Sequence, residues 1–165
     1  MDIFEFAMQM EKDGEKYYIE LMHQCKTPGL KKIFSFLAGE EARHYAYIDN
    51  LRQQHDIPPR VETRILENVK NVFLEMKTEK QGLDADTLKA AAAFIKARDL
   101  EEKSRDFYLE KAEELDDPKA KSLLETMADE ELKHFHIMEN MVEFISRPEP
   151  GHWLENAEWH HLEEY

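Results

Sequence analysis

The chain has 165 residues, 42% hydrophobic and 35% charged, with few glycines and prolines, a composition that suits one soluble helical domain with a real core. Its formal net charge of −14 disfavours nucleic acid or an acidic membrane as a partner, because both are bound through clustered Lys and Arg. A single cysteine, Cys25, excludes an internal disulfide and a four-thiolate iron or zinc site; with no apolar run near the roughly 18 residues of a membrane helix, and a capped helix where a signal sequence would lie, the chain is expected in the cytoplasm.

Asp2 can cap a first helix, with Glu5 as its reciprocal partner, and the apolar pattern then runs to about Cys25. Thr27-Pro28-Gly29 is expected to stop it. A second helix runs from about Leu30 to His55 and ends before Ile57-Pro58-Pro59, since proline disfavours helical geometry at the residue before it. The short turn makes these two helices antiparallel neighbours. Residues 60–82 form a crossover connector, a weaker helical stretch carrying Val61, Ile65, Leu66, Val69, Val72, Phe73 and Met76 and closed by Gln81-Gly82.

A third helix is expected to begin near Asp86, whose carboxylate can accept backbone N–H groups, and to extend through Leu115. Asp117-Pro118 reads as a cap followed by the first helical position, where proline's missing N–H costs nothing, so a fourth helix runs to about Ile145. Residues 1–145 therefore form an all-α antiparallel four-helix bundle, two hairpins joined by one long crossover. The run from Ser146 to Gly151, with two prolines, breaks the pattern. Residues 146–165 then carry a short C-terminal helix, from His152 to Glu164, expected to pack on the bundle or on a second subunit.

The two hairpins are a duplication. One helical face of the first helix reads Phe4, Ala7, Glu11, Gly14, Tyr18, Leu21 and Cys25; 90 residues on, the same face reads Phe94, Ala97, Glu101, Ser104, Tyr108, Lys111 and Leu115. The second and fourth helices match in the same way, with Glu41 and His44 answered by Glu131 and His134 among apolar neighbours. A period this long describes a repeated half-bundle rather than a solenoid.

Six ionisable residues thus occupy positions where a bundle would place its leucines. In a helix, residues i and i+3 project side by side, so Glu41 with His44, and Glu131 with His134, can each reach one ion, and the lone Glu11 and Glu101 complete the set. Two such pairs with two lone glutamates match the known ligand set of di-iron and di-manganese carboxylate bundles. Two carboxylates roughly 4 Å apart repel by about 4 kcal/mol even at an effective dielectric constant near 20. Without metal they must take up protons or separate; two divalent ions would balance four carboxylates. Carboxylate and imidazole without thiolate favour iron first and manganese second. Tyr18 and Tyr108, two turns after the lone glutamates, are placed to donate hydrogen bonds into the ligand shell, the alternative being tyrosines that merely satisfy their own hydroxyls. Glu40 and Glu130 point about 100° away from the ligands and are expected in solvent, as are His23, His136 and His152.

The chain resembles the rubrerythrin branch of the ferritin-like superfamily. The likeness is carried by Met10-Glu11-Lys12-Asp13-Gly14-Glu15-Lys16-Tyr17-Tyr18, Glu40-Glu41-Ala42-Arg43-His44, Leu100 through Tyr108 and Asp129-Glu130-Glu131-Leu132-Lys133-His134, and it spans about residues 3–145. The resemblance implies a ferritin-like bundle with a non-haem di-iron centre, commonly in dimers, that reduces peroxide or reacts with dioxygen in oxidative-stress defence. Full-length rubrerythrins carry in addition a rubredoxin-like domain with paired Cys-x-x-Cys motifs, which one cysteine cannot supply, so a separate electron-donor protein is expected. The family's third helix also usually bears a second glutamate three residues after the first; here that position is Ser104. A ferroxidase or iron-handling role for the same site is the second expectation. A metal-free helical interaction module is the third, disfavoured because unpaired buried charge is costly.

Overall fold

The computed structural model describes residues 2–53, 64–79 and 84–145, and within them all regular structure is α-helical. Helix α1 spans Ile3–Gln24 and opens on the expected capping box: the Asp2 carboxylate accepts from the N–H groups of Phe4 and Glu5, both at 2.8 Å, and Glu5 reaches back to the Asp2 N–H at 3.4 Å. Such a cap is worth about 1 kcal/mol. Cys25 turns extended and ends the helix, its N–H still bonded to the Leu21 carbonyl.

Helix α2, Pro28–Arg52, starts two residues earlier than expected. Thr27-Pro28-Gly29 does not separate the helices as a stop; Pro28 is itself in the first turn, where no N–H is needed, and the Thr27 carbonyl accepts the first helical bond from Lys31 at 3.1 Å. Helix α2 ends at Arg52 with Gln53 as its C-cap, short of the expected His55. Helix α3, Ile65–Thr78, is the described part of the connector. It lies against α2 and α6, burying Ile65, Val69, Val72, Phe73 and Met76, with the Phe73 ring edge-on to Phe144.

The start of the second hairpin departs from expectation. Asp84, not Asp86, is the cap: its carboxylate accepts from the Thr87 N–H and the Thr27 hydroxyl, both at 3.1 Å, and from the Thr87 hydroxyl at 2.5 Å. Asp86 instead pairs with Lys26 at 2.9 Å. A five-residue helix α4, Ala85–Lys89, bends at Ala90 into α5, Ala91–Glu114, so the expected single helix is two. Helix α6, Pro118–Ile145, begins as expected, with the Asp117 carboxylate accepting from the Lys119 N–H at 3.2 Å. The C-terminal tail, residues 146–165, lies outside the described residues.

Helices α1 and α2 pack along their length, as do α5 and α6. The apolar core is divided in two. One cluster gathers Leu21, Leu30, Phe34, Leu37, Phe94 and Met138 near the α3 end of the bundle; the other gathers Ala7, Met8, Ile48, Leu124 and Met127. Between them lie the buried carboxylates and histidines. Helix α3 covers the α2–α6 side at the first cluster, whereas Phe6 on α1 and Leu100 on α5 are exposed apolar side chains.

Candidate metal centre

The structure brings together all six residues singled out by the duplication. Glu11, Glu41, His44, Glu101, Glu131 and His134 are each 5% exposed or less, and both imidazoles are fully buried. Their donor atoms form two quartets, Glu11–Glu41–His44–Glu131 and Glu41–Glu101–Glu131–His134, and within each quartet all atoms lie within 4.8 Å of one another. Glu41 and Glu131 belong to both. The His44 Nδ1 lies 3.1 Å from Glu131 and 3.3 Å from Glu11, and the His134 Nδ1 lies 3.1 Å from Glu41 and 3.4 Å from Glu131. The two rings are nearly parallel, 5.6 Å apart.

Tyrosines from the opposite hairpin cross over the cluster. Tyr18 on α1 donates to Glu101 on α5, and Tyr108 on α5 donates to Glu11 on α1, so each lone glutamate is held by the other repeat. Burial and the neighbouring carboxylates push both phenols well above their usual range, which keeps them protonated as donors.

Burial pushes all four carboxyls up. For Glu41 and Glu131 the adjacent carboxylates add to that, holding Glu41 well above the usual range and Glu131 at about 8. For Glu11 the charge and hydrogen bond of His44 outweigh burial, and for Glu101 hydrogen bonds from Glu131 and the charge of His134 do the same; both end below the usual range. The imidazoles, which burial alone would lower, are held well above theirs by Glu11 and Glu101. Protons thus stand in for missing positive charge.

The donor chemistry fits a metal site. Glu11 Oε2 and Glu131 Oε2 are buried and out of contact with water, each met at 3.3–3.4 Å by a histidine Nδ1. Buried carboxylate oxygens in that state are costly unless a cation meets them. The rubrerythrin family model matches residues 2–142. The chain belongs to the rubrerythrin family. Neither a curated protein nor a solved structure matches it. Membership together with the buried cluster supports a metal site of the carboxylate-bundle type, in a chain whose described helices include none long and apolar enough to cross a membrane.

Two residues beside the cluster depart from expectation. Glu40 and Glu130, expected in solvent, are buried at 4% exposure. Glu130 on α6 lies 2.5 Å from the Nε2 of His44 on α2, and Glu40 on α2 lies 3.8 Å from the Nε2 of His134 on α6, an ion-pair rather than a hydrogen-bond distance. Their positions 100° from the ligands aim them at the neighbouring helix instead of at water, and that helix brings a histidine. Burial raises both carboxyls, but His134 and Arg43, the latter 2.7 Å away, bring Glu40 down to about 2, and His44 lowers Glu130. The signal was present: the pair repeats at the same 90-residue offset as the ligands. His136 is likewise half-buried, 3.2 Å from Glu139, while His23 is exposed as expected.

A cavity of about 330 Å³ opens on the α1–α5 seam and reaches Glu41, Glu101 and Tyr18. Gly14 and Ser104, partners in the duplication, both line it. At Gly14 a methyl group would sit 2.9 Å from Glu41 Oε2, so the missing side chain is what lets that carboxylate occupy its place.

Proposed function

We propose that this chain is a non-haem di-iron oxidoreductase that reduces hydrogen peroxide, or reacts with dioxygen, in oxidative-stress defence, with electrons from a separate donor protein. The observation that supports it most is the sharing of Glu41 and Glu131 between two buried donor quartets. On this reading Glu41 and Glu131, common to both quartets, would serve both ions, with Glu11 and His44 holding one and Glu101 and His134 the other. The set has no thiolate, which favours iron and then manganese. When bound, two ferrous ions supply the two electrons that, with two protons, turn hydrogen peroxide into two waters.

The chain's own residues supply the setting. Four carboxylates offset the charge of two divalent ions, and displacement of the protons held by Glu41, Glu131 and the histidines admits them. Tyr18 and Tyr108 fix the lone glutamates by donating to them. Glu130 and Glu40 hold the outer face of each imidazole, leaving Nδ1 turned toward the quartets. The seam cavity gives a small oxidant a way in.

The test is anaerobic reconstitution with ferrous iron followed by peroxide. Consumption well above that of an equal concentration of free ferrous iron supports the reading, and consumption no faster overturns it. Continued turnover of excess ferrous iron with dioxygen, without a donor, would instead favour ferroxidase or iron handling at the same site.

A further inference from the structure

We infer that the site accepts organic hydroperoxides, ROOH with a compact apolar R group, through the cavity between α1 and α5. The inference rests on the peroxidase reading above and names its substrate class. At about 330 Å³ the cavity is some ten times the roughly 30 Å³ that a water occupies in the liquid, far more than hydrogen peroxide or dioxygen requires. It falls within the range of small-molecule sites, about 300–1,000 Å³.

The lining joins polar and apolar groups: Glu41, Glu101, Tyr18 and Ala97 are buried in it, while Met10 and the exposed Leu100 add apolar wall. A hydroperoxide has the same polarity, an O–O–H head on a hydrocarbon body. The seam on either side is closed by side chains: the Phe6 and Phe107 rings meet at 5.0 Å, and the Tyr17 hydroxyl donates to the Ala93 carbonyl at 2.9 Å. The cavity is lined by Gly14, which has no side chain, and by the small Ser104. Lys96, over the Tyr17 ring at 5.5 Å, and Asp13 add polar groups to the lining.

The balance is ROOH plus two electrons and two protons giving ROH and water as the O–O bond breaks; two ferrous ions held by the cluster would supply the electrons, and a one-electron donor protein would restore them.

The experiment compares cumene hydroperoxide with hydrogen peroxide on the iron-loaded chain and on Ser104→Leu, which adds bulk to the cavity lining. Equilibrium dialysis of 2-phenyl-2-propanol, the alcohol product, provides a readout independent of turnover. Expected are kcat/KM values for the two peroxides within ten-fold of each other in the parent chain. In Ser104→Leu the ratio of cumene hydroperoxide to hydrogen peroxide should fall at least ten-fold, with a matching loss of alcohol binding. Reduction of hydrogen peroxide alone, with no alcohol bound by the parent chain, overturns the inference and leaves the proposed function standing. Reduction of neither peroxide overturns both.

Discussion

Glu130 on α6 lies 2.5 Å from the Nε2 of His44 on α2, so the outer nitrogen of a candidate ligand is held by the opposite hairpin. The mirror pair, Glu40 with His134, is longer at 3.8 Å. Carboxylates that orient a ligating imidazole typically contribute ten- to hundred-fold in metal affinity. Glu130→Gln should therefore weaken ferrous binding by about that factor, and Glu40→Gln by less, since its contact is looser. Competition titration against a chelator reads both.

The metal-free protein should lose stability as pH rises. Glu131 moves from an ordinary 4.5 to about 8 on folding, and Glu41, His44 and His134 are also raised. A group raised on folding contributes stability that is complete below its unfolded value and is lost as pH climbs through the folded one. For Glu131 that window is pH 4.5 to 8; for the histidines the loss begins near 6.5. Glu11 and Glu101, which are lowered, act only at the acid end. The apo melting temperature should fall between pH 5 and 8, while that of the metal-loaded protein rises as protons stop competing with the ions. Calorimetry at fixed ionic strength checks both signs.

Replacing Glu131 by Leu should separate folding from function. Burial and the neighbouring Glu11 and Glu101 raise this carboxyl to about 8, and an aliphatic side chain of similar size removes one member of the crowded acidic cluster. The apo form should melt no lower than the parent chain, since one of four crowded carboxyls is gone, while metal content falls. A drop in apo stability would count against the strained-cluster picture.

Gly14→Ala carries two opposed effects. Alanine is the better helix former by about 1 kcal/mol, and Gly14 sits in the interior of α1. Its new methyl would meet Glu41 Oε2 at 2.9 Å, a flexible carboxylate tip that can swing aside. The fold should survive, with the apo melting temperature unchanged or higher and ferrous affinity at least ten-fold lower. Equal affinity would mean that Glu41 binds from a different rotamer.

Much of the centre was legible because duplication wrote it twice. Glu11, Glu41 and His44 recur at a constant offset on faces otherwise apolar, and helical periodicity then brings all six residues inward. The cross-hairpin contacts were harder. Periodicity states which way a side chain leaves its own helix, but not what stands opposite, so Glu40 and Glu130 read as solvated although a histidine faces each. The cap at Asp84 was missed for a similar reason: its partners include Thr27, 57 residues away, and no local pattern announces that bond. The seam cavity is lined from both hairpins, a relationship visible only after the hairpins are docked.

The most direct measurement is metal content per chain, by elemental analysis of gently purified protein expressed with iron and manganese both available. About two metal ions per chain, mostly iron, are expected, falling sharply in the Glu131→Leu variant. Near-zero metal in the parent chain, or content unaffected by that substitution, would contradict a di-metal centre built on Glu41 and Glu131.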